Sequence, residues 1–284
     1  LKEAVKDGDV SEALIDEAVE RILSVKYDLG LFENPYFSED DNSDKFMKKE
    51  YLDKAKEICL NSMVLLKNNG VLPLKKGLHV SVSGPMAEEK ESLLGSWHAG
   101  GRAEDVISLA DGISSVNGAN NVYVKQSSTF DCLYRFMDYT DTMILGLGES
   151  SFVTGEGNSL ADISLSQEQN ECARFAKEKG KNVIAVVFAG RPLAITDLLP
   201  YCDAVLWAWH GGTECGTAAA EILFGDFNPC GRLPVTIPRS TGQIPIYYNH
   251  NRNECDLNGY YENKMNYRDC VSTPLFEFGY GLSY

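Results

Sequence analysis

The chain carries hydrophobic residues in two rhythms. Between positions 11 and 29, Ala13, Leu14, Ala18, Ile22, Val25 and Leu29 fall on one side of a helix, and Ile15, Val19 and Leu23 widen the stripe. Ser11 is a suitable N-cap and Gly30 a suitable stop. A stripe this broad needs a partner. The stretch that follows, 33–44, is acidic, polar and Pro-containing, which reads as a linker and not as that partner. The helix is therefore expected to pack on something N-terminal to it.

Beyond the linker the rhythm changes. Short apolar runs at 64–68, 78–84, 121–124, 142–147, 182–189 and 204–208 read as strands, and the run at 182–189 (NVIAVVFA) has the near-continuous apolarity of a strand buried on both faces. Helical patterns lie between them at 45–63, 90–96, 103–116, 166–180, 192–199 and 216–224, with a short one at 133–139. Strands alternating with helices at this spacing predict an α/β fold, a mostly parallel sheet flanked by helices. The remainder, 233–284, is rich in Tyr, Asn, Pro and Gly. It reads as a long ordered C-terminal extension wrapping the sheet.

One loop stands out. Residues 146–165, GLGESSFVTGEGNSLADISL, join the strand at 142–147 to a helix whose Ser166 and Gln169 form a capping-box pattern. The loop is polar and Gly-rich, and it carries Glu149 and Glu156 with no Lys or Arg. In open α/β folds ligands bind where loops leave the carboxyl ends of strands. An acid there is a candidate for proton transfer; taken alone, it equally fits a solvated surface loop.

Composition narrows the partners. The 284 residues are 44% hydrophobic and 24% charged, with a formal net charge of −15. That excess of carboxylates disfavours nucleic acid and anionic membranes and suits a neutral or cationic substrate. No run of 18 apolar residues and no signal-peptide pattern is present. The chain begins with Leu1, so the native N-terminus is expected upstream. The eight cysteines form no CxxC pair and no Asn-x-Ser/Thr sequon occurs. The thiols are expected to be reduced and structural, in a reducing, cytoplasmic setting. There is no GxxxxGK[ST], HExxH or GxSxG, and GLGESS lacks the third Gly of a dinucleotide loop. The four histidines are scattered, so neither a metal nor a cofactor is expected. Trp207 and Trp209, beside His210, could stack on a sugar, although packing at a strand end is the favoured reading.

Motifs along almost the whole length resemble one family. IDEAVERILSVKYDLGLFENPY (15–36), NSMVLLKNNGVLPL (61–74), GPMAEEKESLLGSW (84–97), AGRPLAI (189–195), GGTECG (211–216), LFGDFNPCGRLPVTIPRSTGQIP (223–245) and FGYGLSY (278–284) occur in the order found in family 3 glycoside hydrolases, the β-glucosidase and β-xylosidase type. The resemblance implies that 1–32 hold the last helix of a (β/α)8 barrel, 33–46 the interdomain linker and 47–284 the family's C-terminal α/β-sandwich domain. It also implies a retaining mechanism with two carboxylates, one nucleophile and one acid/base. The family's nucleophile is an Asp of the barrel, upstream of Leu1. The position matching its acid/base is Glu156, with Ser151 and Phe152 beside the substrate and Glu149 a structural residue at the loop base. The implied substrates are oligosaccharides or aryl and alkyl β-glycosides, and the implied partner is the upstream barrel. An isolated chain is expected to be inactive; a non-catalytic carbohydrate-binding or assembly module is the alternative. The chain departs from the family pattern at Leu160, Ser166 and Cys215, where Arg, Pro and Gly are common.

Overall fold

The computed structural model describes residues 1–36, 46–126, 139–249, 269–271 and 273–284, in two compact units, Leu1–Lys49 and Glu50–Tyr284. In the first unit, α1 (Lys2–Lys6) precedes α2 (Glu12–Asp28). Helix α2 buries none of its 17 residues. Leu14, Ile22, Val25 and Leu29 are all more than half exposed, so the apolar stripe read from the sequence is an uncovered surface. Most of the expected linker, 37–45, lies outside the described residues.

The second unit is built on six strands: β1 (Val64–Asn68), β2 (Val80–Gly84), β3 (Val122–Gln126), β4 (Thr142–Gly148), β5 (Asn182–Phe188) and β6 (Ala204–Trp207). They lie in the order β1-β6-β5-β4-β2-β3. All neighbours are parallel except β1, which pairs antiparallel with β6. The helices are α3 (Lys49–Ser62), α4 (Leu109–Asn117), α5 (Gln167–Glu178) and α6 (Cys215–Leu223).

Successive side chains of a strand point to opposite faces, so each central strand feeds two cores. Ile144, Ile184, Val186 and Leu206 pack on one side with Leu109, Ile113, Ala219 and Ile222 of α4 and α6. Met143, Leu145, Val183, Ala185, Val187 and Trp207 pack on the other with Cys172, Ala173 and Ala176 of α5. This double burial explains why β4 and β5 read as unbroken apolar runs. Helices α4 and α6 approach each other through glycine. A Cβ on Gly112 would lie 2.1 Å from the Gly216 carbonyl oxygen, and one on Gly216 would lie 2.0 Å from that of Ser108.

The described part of the C-terminal extension binds the sheet at β1. Leu282 N–H donates to Leu65 O at 2.9 Å, and within the extension Leu233 N–H donates to Tyr280 O and Ile237 N–H to Phe276 O, each at 2.9 Å. Covering an edge strand in this way blocks its open hydrogen-bonding groups. The middle of the extension, and all of the helix expected at 133–139 except Tyr139, lie outside the described residues.

Three expected helices are corrected. Residues 90–96 form only a 3₁₀ turn, Ser92–Leu94, because Gly95 turns the chain at φ +78°. The helix expected over 103–116 begins at Leu109: Ser108 Oγ caps it by accepting from Asp111 N–H at 3.1 Å, and only a separate 3₁₀ turn, Ala103–Asp105, precedes it. The helix expected at 192–199 is absent: 192–195 are not helical, and 196–198 only turn into the 3₁₀ turn Leu199–Tyr201. Ala194 N–H is bonded to Ile163 O at 3.0 Å and forms a parallel bridge with Ser164, which takes the backbone out of a helical path. The 3–4 spacing of Ala194, Ile195 and Leu198 reflects burial in the core below, not a helix.

Candidate active site

The chain runs from β2 to β3 on one side, then places β4 on the other side of β2. The connections leaving β2 and β4 therefore diverge at their carboxyl ends and open a crevice, the usual ligand position in an open α/β sheet. A cleft of about 340 Å3 sits there. The connection after β2 contributes Gly95, Ser96, Trp97 and His98; the one after β4 contributes Ser151, Phe152, Thr154, Glu156 and Asn158. Trp97 and Phe152 are each 73% exposed, so two large aromatic faces stand open to solvent beside a carboxylate.

Local hydrogen bonds hold the two loops together. Ser96 Oγ lies 2.9 Å from Thr154 O, 3.1 Å from Ser151 O and 2.7 Å from Thr154 Oγ1. Ser150 Oγ accepts from Phe152 N–H at 3.2 Å and starts the 3₁₀ turn Ser151–Val153. Gly155 has φ +88°, and a Cβ there would lie 2.6 Å from that of Ser96, so the chain passes close only because the residue is glycine. The next turn, closed by Asn158 N–H on Gly155 O at 3.2 Å, carries Glu156. Glu156 is exposed and makes no hydrogen bond or ion pair among the described residues.

Beneath the loop the chemistry differs. Glu149 is buried at the end of β4, and Arg191, just beyond β5, donates from Nε to Glu149 Oε1 at 3.1 Å. The same guanidinium donates from Nη2 to the Val153 carbonyl. Burial pushes the Glu149 carboxyl above the usual glutamate range, while the Arg191 charge and the Gly190 amide pull the other way. Glu149 Oε2 is buried with no hydrogen-bond partner among the described residues. His210, after β6, is enclosed by the backbone. A Cβ on Gly190 would lie 3.0 Å from its Cε1, and one on Gly95 would lie 3.2 Å from its Nδ1. Burial holds this imidazole below the usual histidine range.

Gln169 departs from the capping-box expectation. Ser166 Oγ does accept from Gln169 N–H, at 3.3 Å. The Gln169 amide, however, turns to the end of β4: it accepts from Gly148 N–H at 2.8 Å and donates to Gly148 O at 2.9 Å. It therefore serves the strand end that launches the loop, where no neighbouring strand takes both groups.

Of the residues expected from sequence, Glu156, Ser151 and Phe152 all line the cleft, and Glu149 lies at the loop base. Ser151 is buried and meets its neighbours through its carbonyl. Trp97, His98 and Arg191 escaped the sequence reading as site residues; the only signal was a tryptophan in a Gly- and Ser-rich segment, GSWHAGG. Trp207 is fully buried and meets Trp209 edge-on at 5.8 Å, while Trp209 donates from Nε1 to Ser62 O at 3.1 Å. Packing, not sugar stacking, explains that pair. Among the described residues no group of three His, Cys, Asp or Glu side chains could hold a metal ion.

An open α/β sheet with an acid-bearing loop at its switch point has many relatives, and one family matches here. The chain belongs to the glycosyl hydrolase family 3 C-terminal domain family, whose model matches residues 63–284. It is 35% identical over 317 residues to the periplasmic beta-glucosidase of Salmonella typhimurium, covering 99% of this chain and 41% of that protein. It is 33% identical to a beta-xylosidase of Formosa agariphila, covering 100% of this chain and 41% of that protein. A crystal structure of beta-glucosidase from Listeria innocua matches all of this chain and 41% of its own, at 36% identity and a TM-score of 0.87. The chain thus spans about two-fifths of the length of these relatives.

Proposed function

We propose that this chain supplies the general acid/base of a retaining β-glycosidase, with Glu156 as the proton donor and acceptor and an upstream (β/α)8 barrel supplying the Asp nucleophile. The observation that carries the reading is that Glu156 is the carboxylate lining the cleft at the sheet's switch point, beside two exposed aromatic rings. The names of the relatives favour a β-glucoside, with a β-xyloside second.

Retaining hydrolysis needs two carboxyl groups about 5–5.5 Å apart across the scissile bond. Glu149 does not serve as the second: it is buried, ion-paired and at the loop base. In the proposed reaction the second carboxylate is the barrel Asp that the resemblance to family 3 implies. Glu156 protonates the glycosidic oxygen as the bond to the sugar breaks, then takes a proton from the water that attacks the glycosyl-enzyme. A general acid must hold its proton at working pH. Placing a loop carboxyl beside a second carboxylate and a sugar supplies the desolvation and like-charge repulsion that favour this. Trp97 and Phe152 offer apolar faces on which a sugar ring or an aryl aglycone can stack.

In the protein with its barrel, Glu156→Ala is expected to reduce kcat/KM strongly for alkyl β-glucosides and little for 2,4-dinitrophenyl β-D-glucoside, whose leaving group needs no proton. Equal losses on both substrates contradict the assignment. The second reading, a carbohydrate-binding module, draws on the same two exposed rings. It predicts unchanged turnover in Glu156→Ala and weakened oligosaccharide binding in Trp97→Ala.

A further inference from the structure

We infer that Arg191 is a positioning residue for Glu156, acting as a strut between the end of β4 and the acid-bearing loop; this rests on the acid/base reading of Glu156 proposed above. The geometry that carries it is one guanidinium with two separate anchors. Nε–H donates to Glu149 Oε1 at 3.1 Å and Nη2–H donates to the Val153 carbonyl. Glu149 is the first residue after β4, and its own N–H is bonded to Phe188 O at 3.0 Å, so its backbone is fixed to the sheet. Val153 closes the 3₁₀ turn Ser151–Val153, three residues before Glu156. Arg191 leaves the sheet beside β5. It joins the rigid ends of two adjacent parallel strands to the loop that carries the proton.

A planar guanidinium suits this task. Its donors form a fixed fork, so engaging both acceptors sets their separation and direction, and a lysine ammonium cannot reproduce that. Glu149 keeps the arginine in place by charge, although burial makes its own ionised form costly. Ser96 Oγ, on Ser151 O, Thr154 O and Thr154 Oγ1, ties the same turn to the β2 connection, and Ala194 N–H on Ile163 O ties the far end of the loop beyond β5; Arg191 ties the turn before Glu156 to the end of β4.

Position matters because proton transfer needs the acid within hydrogen-bond reach of the glycosidic oxygen. The test compares kcat/KM for an alkyl β-D-glucoside and for 2,4-dinitrophenyl β-D-glucoside in the protein with its barrel. Arg191→Lys is expected to lower the first by roughly 10- to 100-fold, the scale of a small misplacement of a catalytic group, and to leave the second nearly unchanged. A residue that only stabilises the fold lowers both together or neither; either result overturns the inference. If circular dichroism finds Arg191→Lys unfolded, Glu149→Gln, which keeps the shape and frees the arginine from its charge partner, must give the same leaving-group dependence in weaker form, and its absence overturns the inference. Glu156→Ala in the same assay separates the two ideas. Dependence in Glu156→Ala without it in Arg191→Lys removes the strut alone; no dependence in Glu156→Ala removes the acid/base reading itself.

Discussion

Replacing Gln169 by leucine removes a side-chain amide that serves both backbone groups of Gly148, accepting from its N–H at 2.8 Å and donating to its carbonyl at 2.9 Å. Gly148 is buried at the last position of β4, so water does not readily replace the lost partner. Leaving a buried donor or acceptor unpaired costs about 1–3 kcal/mol each, which sets an upper range of about 2–6 kcal/mol for the two. Gln169 is half-buried, so partial solvent access lowers the cost, and leucine regains little by burial there. We expect a loss of about 2–4 kcal/mol. Gly148 lies close against β5: its φ is +137°, and a Cβ on it would lie 1.8 Å from the Phe188 carbonyl oxygen. Urea unfolding of the chain, followed by far-ultraviolet circular dichroism, measures the change. Gln167→Leu is the control, because Gln167 is exposed and its side chain bonds to Glu171 on the same helix, at 2.8 Å; a surface change of this kind stays within about 0.5 kcal/mol. Gln169→Leu and Gln167→Leu with the same stability would refute the view that the helix α5 amide fastens the strand end.

Three further outcomes follow from burial and packing. Because burial lowers the folded-state pKa of His210, the native protein binds fewer protons there than the unfolded chain; stability is full above the ordinary histidine value and falls as pH drops through it. His210→Gln should therefore lose less stability than wild type between pH 7 and pH 5, and parallel pH profiles would contradict this. Gly112→Ala should destabilise by about 1–3 kcal/mol through overpacking against the Gly216 carbonyl, although alanine is the better helix former by about 1 kcal/mol; a gain in melting temperature would show that α4 and α6 can separate cheaply. Burial pushes the Cys59 thiol up to about 11 and Cys202 up to about 12, whereas Cys230 is exposed. In native protein at pH 8, Cys230 should react with a thiol reagent, and Cys59, Cys202 and Cys215 only after denaturation, as peptide mapping will report.

The central strands were legible because both faces of β4 and β5 are covered, which forces unbroken apolar runs such as NVIAVVF. The loop was legible for a related reason: a Gly-rich polar stretch between a buried strand and a capped helix has to lie at a strand end. The site's other wall was not. Trp97 and His98 meet Glu156 only because β4 lies next to β2, with β3 displaced to the far edge, and that neighbour relation has no mark in local pattern. Arg191 was hidden for the same reason, since its partners Glu149 and Val153 belong to another strand end. Gln169 misled in a different way. Its spacing from Ser166 satisfies a capping box, but two buried groups on Gly148 need its amide more than an exposed helix terminus does. Apolar spacing at 192–199 likewise reports which residues face the core and not the backbone path between them.

In the proposed retaining reaction Glu156 moves the proton. Azide can replace the water that a missing base no longer activates. In the protein with its barrel, Glu156→Ala supplied with 2,4-dinitrophenyl β-D-glucoside and sodium azide should turn over faster with rising azide, and proton NMR should identify the product as the β-glucosyl azide, of retained configuration. Turnover in Glu156→Ala equal to wild type without azide, an α-glucosyl azide, or no azide product would contradict the account.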